Sequence, residues 1–309
     1  MAEPLPPRRD PSWFDRLAGV VPGGIAGRRV AIVGCGSVGS FVADELARAG
    51  VGHFLLIDPD HVEWRNLTRT VYGHADVGAP KVEALARHLR GIFPDIVVRG
   101  CASEVQALRP QLRELLGGVD LVVSALDDPT ATGIVDRFCY ALLKPAVFVG
   151  LYRGAGGGEV IAVDPAHTPC MGCATGGVRE TLGDVVAGAP VQRERDYGTN
   201  KLKPQVALGS DIHFVCNAAV KIALSMLCGG DEDGGEGGGE GGDIGRFMRG
   251  KLREGVHYLM LAMEPDYYLF PHTHADAVGQ YAFQSLWLQT TRRADCPRCG
   301  EPGFRQPPF

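Results

Sequence analysis

Short apolar runs alternate with longer stretches in which apolar residues recur at helical spacing. Val30-Ala31-Ile32-Val33, Phe54-Leu55-Leu56-Ile57 and Leu121-Val122-Val123 are such runs. The pattern predicts strands at 29–34, 52–58, 95–101, 119–125, 146–151 and 158–164. Helices are predicted at 37–49, 80–92, 105–116 and 130–143, with a short helix from Ser12 to Val20. Strands that alternate with helices predict an α/β fold with a doubly wound, mostly parallel sheet. In such sheets ligands sit at the carboxyl ends of the strands.

After Asp164 the alternation lapses. Cys170 to Pro204 is rich in Gly, Arg and Thr and predicts a long irregular crossover loop. Val206 to Leu227 reads as a long, mainly apolar helix, Val256 to Leu261 as a strand, and Gln280 to Leu288 as a strand or a helix. The chain therefore divides into a mobile N-terminus (1–12), a main α/β domain (13–228), a linker (229–243) and a C-terminal segment (244–309). No internal repeat is visible.

Composition changes this picture in two places. Residues 229–243 hold nine Gly and six acids. That stretch has no apolar area to bury and reads as a flexible linker. Taking its six negative charges from the net charge of −5 leaves +1, so the rest of the chain is nearly neutral. No nucleic-acid surface is expected. No run of about 18 apolar residues suggests a membrane span, and Met1 to Trp13 lacks an apolar signal core. Nine cysteines in 309 residues, without an export signal, favour metal ligation in a reducing cytosol over a disulfide framework.

The first predicted strand runs into Gly34-Cys35-Gly36-Ser37-Val38-Gly39. This is a Gly-x-Gly-x-x-Gly turn between a strand and a helix, the Rossmann-like arrangement. Gly34 permits the tight turn, Gly36 lets a phosphate approach the backbone, and Gly39 lets helix and strand pack closely. Phosphate then meets the free N–H groups of the helix N-terminus. Asp58, at the end of the second strand, can accept hydrogen bonds from ribose hydroxyls. The turn predicts an adenine nucleotide without saying which.

Two further sets carry chemistry. Cys170-Met-Gly-Cys173 and Cys296-Pro-Arg-Cys299 each place two thiolates on a knuckle, and Zn²⁺ takes four in a closed tetrahedron. Neither pair is expected to open a helix, as a redox C-x-x-C would. The other set follows Asp58: Asp60, Asn66, Arg69, Lys81 and, at the end of a later strand, Asp127-Asp128. Attack on an α-phosphate spreads negative charge over the phosphates, which fixed cations and Mg²⁺ offset. Arg69 and Lys81 supply the cations and Asp127 a Mg²⁺ ligand. A dehydrogenase needs no such cluster, so ATP is preferred over NAD. A non-catalytic protein that keeps the fold is disfavoured by the same three residues.

Gly34-Cys-Gly-Ser-Val-Gly39, Asp58-x-Asp60, Asn66-Leu-x-Arg69, Val77-Gly-x-x-Lys81 and Asp127-Asp128, with the two cysteine pairs, resemble the ThiF/MoeB/HesA family of the ubiquitin-activating superfamily. The resemblance covers residues 14–227 and returns at 296–299. It implies ATP-dependent adenylation of the C-terminal glycine carboxylate of a ubiquitin-like protein or peptide, with release of pyrophosphate. It implies that Gly34, Gly36 and Gly39 line the nucleotide, Asp58 and Asp60 face it, and Asn66, Arg69 and Lys81 contact phosphates. Asp127 then binds Mg²⁺. Phe14-Asp15-Arg16 resembles a segment whose arginine reaches the partner protomer's ATP, which implies a homodimer; Arg8 or Arg9 are alternatives. Thr70 and Leu17 stand where the family usually has Gln. The stretch 174–210 contains no cysteine, although thioester-forming members carry their nucleophile there. Cys216 is read as a packed core thiol. The adenylate would then pass to a separate thiol, sulfur donor or amine.

Weaker features remain. His272 and His274 read as solvated, Tyr267-Tyr268-Leu269-Phe270 as a buried strand or an apolar dock, and Arg292-Arg293 as flanking the zinc knuckle. Arg153 with Gly154, Gly156, Gly157 and Gly158 suggests a channel for an extended tail ending in Gly.

Overall fold

The computed structural model describes residues 9–152, 155–183, 207–229, 242–263 and 283–307. Eight strands form one sheet: β1 (Arg29–Val33), β2 (His53–Ile57), β3 (Val97–Cys101), β4 (Leu121–Ser124), β5 (Ala146–Leu151), β6 (Gly157–Val163), β7 (Val256–Ala262) and β8 (Gln284–Gln289), in the order β3-β2-β1-β4-β5-β6-β7-β8. The five strands from β3 to β5 are parallel; β6, β7 and β8 add antiparallel. The α/β, doubly wound expectation holds, and the C-terminal segment contributes β7 and β8 to the same sheet.

Seven α-helices are described: α1 (Ser37–Arg48), α2 (Lys81–Ile92), α3 (Leu112–Gly117), α4 (Pro129–Ala141), α5 (Met171–Gly183), α6 (Gly209–Cys228) and α7 (Gly242–Arg253). Side chains alternate along each strand, so Val30 and Ile32 face one layer while Ala31 and Val33 face the other. The first layer holds α1, α2, α6 and α7; the second holds α3, α4 and α5. Order reverses between β1 and β4, which opens the switch-point crevice at their carboxyl ends.

Several expectations need correction. Residues 12–20 form a 3-10 turn at Pro11–Phe14 and further turns, because Asp10 caps the Ser12 N–H and Gly19 takes φ +82°. The third predicted helix shortens to α3, since Pro110 interrupts 105–111. Residues 170–204 are not irregular throughout, because α5 starts at Met171. The acidic stretch gives way to helix at Gly242. The ambiguous 280–288 stretch is strand β8 from Gln284. Residues 9–12 are anchored: Arg9 donates to Asp95 at 2.7 Å and to the Gly50 carbonyl at 2.8 Å, and lies over the rings of Trp13 and Phe93. α6 is long and apolar enough to cross a membrane by length and composition. It packs instead against α1, β5 and β6, with Ile212, Val215, Cys216 and Ala219 buried.

Candidate active site

The glycine turn is built by contacts that exclude side chains. Gly34 has φ +92°, and a Cβ there would stand 2.5 Å from the Ala125 carbonyl oxygen. A Cβ on Gly39 would stand 1.8 Å from the Gly34 carbonyl oxygen. These two glycines let the turn after β1 touch the turn after β4. Gly36 differs: a Cβ there would meet nothing within 4 Å. It is the N-cap of α1, which has no side-chain cap, and the first-turn N–H groups of a helix have no intrahelical partner.

Asp58, buried at the end of β2, reaches back into this turn. Its Oδ2 accepts the Cys35 N–H at 2.7 Å and its Oδ1 accepts the Asp60 N–H at 2.9 Å. Burial raises its pKa; Lys81 and the two N–H groups oppose the rise. Each carboxylate oxygen has two lone pairs, so the group that shapes the turn keeps acceptor capacity. Tyr72 closes the other side, donating to the Cys35 carbonyl at 2.6 Å. The motif reading missed Tyr72. Its one signal is an aromatic three residues after Arg69.

Residues far apart in sequence meet because two segments zip together. Val62 N–H donates to Ala79 O, Gly78 N–H to Val62 O, and Lys81 N–H to Asp60 O. This seats Lys81 at the start of α2 with Nζ 2.7 Å from Asp60 Oδ2 and 3.8 Å from Asp58 Oδ1. Asp127 follows β4, next to Asp128, whose carboxylate caps α4 through the Thr130 N–H at 2.8 Å. Asp127 reaches solvent, yet it lies in a recess dense enough in protein to raise its pKa. Arg69 and Lys81 pull that pKa down again, so both cations act on this carboxylate. The start of α6 abuts the same segment: a Cβ on Gly209 would lie 3.2 Å from the Thr68 carbonyl oxygen.

The other expected residues are placed as follows. Asn66 Oδ1 accepts the Glu63 N–H at 2.8 Å and caps a short 3-10 turn, which leaves its amide N–H groups as donors. Arg9 is committed to its intrachain contacts and is not an alternative to Arg16. Arg16 itself is exposed. Gly157 and Gly158 open β6 rather than a channel, and a Cβ on Gly158 would stand 2.7 Å from Val215. Arg8, Arg153, Gly154, Tyr267 to Phe270, His272 and His274 lie outside the described residues.

The four cysteines come together. Sγ of Cys170 lies 3.8 Å from Sγ of Cys296, and Sγ of Cys173 lies 3.5 Å from Sγ of Cys299. All four sulfurs fall within 4.8 Å of one another and are buried. Four convergent thiols form a donor set for a metal ion, with the Arg298 N–H donating to Cys296 Sγ at 3.5 Å, and tetrahedral thiolate coordination suits Zn²⁺. One expectation fails here: Cys170-Met-Gly-Cys173 does open a helix, α5, because Asp136 accepts the first-turn N–H groups of Met171 and Gly172. The second knuckle closes at Gly300, where a Cβ would stand 2.4 Å from the Ala294 carbonyl oxygen. Arg292 does more than flank it, donating to the carbonyls of Pro165 and Thr168.

Cys216 is fully buried on α6, and burial pushes its thiol up to about 12. Cys35, Cys139 and Cys228 are buried too, and Cys101 is half-buried at the end of β3.

Comparison with known proteins finds relatives for part of this chain. Ubiquitin-like modifier-activating enzyme 5 of Oryza sativa subsp. japonica is 32% identical over 157 residues, 47% of this chain and 37% of that protein. SAMP-activating enzyme E1 of Haloferax volcanii is 32% identical over 152 residues, 49% of this chain and 54% of that protein. The chain thus spans about half or less of these curated relatives. A crystal structure of E. coli MccB with ATP superposes with a TM-score of 0.60 at 19% identity, covering 89% of this chain and 68% of that one, a likeness of fold. The family described as the ThiF family matches residues 24–236, more than half of the sequence, and the chain belongs to it.

Proposed function

We propose that this protein uses ATP to adenylate the C-terminal glycine carboxylate of a ubiquitin-like protein or a peptide. The observation that supports the reading is that Arg69 and Lys81 both act on Asp127, which follows β4 at the strand switch point, where the Gly34 turn meets Ala125. Relatives named as activating enzymes for ubiquitin-like modifiers, and MccB structures with ATP and with MccA, support the same class.

In the step, a carboxylate oxygen of the substrate attacks the α-phosphorus of ATP. The bond from that phosphorus to the bridging oxygen breaks, and pyrophosphate leaves. Arg69 and Lys81 face the charge that accumulates on the phosphates. Backbone N–H groups at the start of α1 hold phosphate, while Asp58 accepts from the ribose. Asp127 would hold Mg²⁺, which supplies further neutralisation of phosphate charge. Cys170, Cys173, Cys296 and Cys299 would hold a structural Zn²⁺ with no open position. In a homodimer, the exposed Arg16 would reach the partner's nucleotide.

We read the reaction as ending without an enzyme thioester. The stretch 174–210 has no cysteine, and Cys216 is buried in α6. A thiol, sulfur donor or amine on another molecule then attacks the acyl carbon, and AMP leaves. The test is ATP–pyrophosphate exchange with Gly-Gly-ending proteins encoded beside this one. Exchange that depends on one such protein and disappears in Asp127→Ala is the expected result. Absence of exchange with every candidate, together with tight NAD binding, would overturn the reading.

A further inference from the structure

Asp136 is fully buried in the middle of α4, where its carboxylate binds three different groups. It accepts the Met171 N–H at 3.0 Å, the Gly172 N–H at 3.3 Å and Nη1 of Arg298 at 2.6 Å. The first two donors belong to the knuckle of Cys170 and Cys173. The third sits inside the knuckle of Cys296 and Cys299. Glycines cut the slot through which Arg298 passes: a Cβ on Gly172 would lie 2.4 Å from its Nη1, and one on Gly133 would lie 3.4 Å from its Nη2. The nucleotide-side residues sit at the start of the same helix, with Asp128 as its cap and Asp127 just before it. Asp136 is two turns away, about 12 Å along the axis.

We propose that Asp136 and Arg298 are positioning residues that lock both cysteine knuckles onto α4, so that one contact sets metal retention and the placement of Asp127. The proposal rests on the zinc and nucleotide readings above. The pair supplies none of the four thiols and none of the nucleotide-side residues. It orders the thiols before the metal arrives and ties the C-terminal segment to the helix whose cap lies beside Asp127. The guanidinium lies between Gly133 and Gly172 with one nitrogen on the buried carboxylate, a planar placement that a lysine ammonium does not reproduce.

The test uses the full-length protein as isolated. Zinc content is measured first, then zinc release to a chromogenic chelator, then affinity for a non-hydrolysable ATP analogue with Mg²⁺. Arg298→Lys, Asp136→Asn and Gly172→Ala should each release zinc about 10-fold faster or more and bind the analogue several-fold more weakly. Gly172→Ala leaves every charge and thiol in place and acts only by closing the slot. In an Arg298→Ala background it should therefore add nothing, which separates the lock from general destabilisation. Zinc release unchanged in Arg298→Lys and Gly172→Ala would overturn the lock. Faster release with unchanged analogue affinity would overturn its link to Asp127. Wild-type protein without zinc would instead remove the metal reading on which the proposal stands.

Discussion

Lys81 Nζ stands 3.8 Å from Asp58 Oδ1, although 23 residues and a complete loop separate the pair. Both side chains are nearly buried, and Asp60 holds the same ammonium from the solvent side at 2.7 Å. The carboxylate that shapes the glycine turn is thereby linked to the cation that faces Asp127. A buried cation kept in place by partners is pre-organised to meet phosphate charge.

Lys81→Ala should therefore reduce ATP–pyrophosphate exchange by about 10²–10³-fold. The loss should appear at saturating ATP, because the cation acts on charge that develops during the reaction. Arg69→Ala is expected to behave alike. Zinc content should stay at wild-type level in both, since the thiols lie in the other helical layer.

The glycines separate folding from binding. Gly39→Ala forces a Cβ to within 1.8 Å of a carbonyl oxygen, so thermal unfolding should show a loss of about 4 kcal/mol or more. Gly36→Ala meets nothing within 4 Å and should cost about 1 kcal/mol as a poorer helix cap. Nucleotide binding by that folded variant should still be weakened, because the methyl group occupies the approach to the backbone.

Cys216→Ala should leave pyrophosphate exchange and any transfer to an external acceptor intact. A conjugate sensitive to reducing agent that appears in wild type and disappears in Cys216→Ala would refute this. The thiol donates weakly to the Val38 carbonyl at 3.9 Å and is otherwise packed among apolar side chains.

His257 predicts a pH dependence of stability. It is fully buried on β7, donates from Nδ1 to the Ala162 carbonyl at 2.7 Å, and accepts from Thr290 at Nε2 at 2.6 Å. Burial pulls its pKa down to about 4, against an ordinary value of 6.5. The unfolded chain thus takes up the proton first. Stability from this residue is full above about pH 6.5 and falls as pH drops toward 4, by about 2–3 kcal/mol. Urea unfolding across that range should show the slope, and His257→Gln should flatten it.

Much of the site could be read from residue order, because the contacts are local or obey fixed strand–turn–helix geometry. Gly34, Gly39 and Asp58 perform steric and hydrogen-bonding tasks that their spacing dictates. The helix starting at Met171 has no local capping signal, because its first-turn donors are satisfied by Asp136, 35 residues earlier. Arg9 looked like part of a mobile tail because its partners, Asp95 and Phe93, come from a distant loop.

The sequence by itself determined the α/β alternation, the glycine turn, the cation and carboxylate set and the two cysteine pairs. The alternation, the turn and each cysteine pair depend on periodicity or on spacings within one element or one turn, and the cation and carboxylate set on residue types that recur at the ends of successive strands. Only the tertiary structure decided that β7 and β8 extend the same sheet, that the two cysteine pairs converge, and that Asp136 and Arg298 join them. The physical reason is that buried polar groups need partners, and partners supplied from distant segments leave no trace in local pattern.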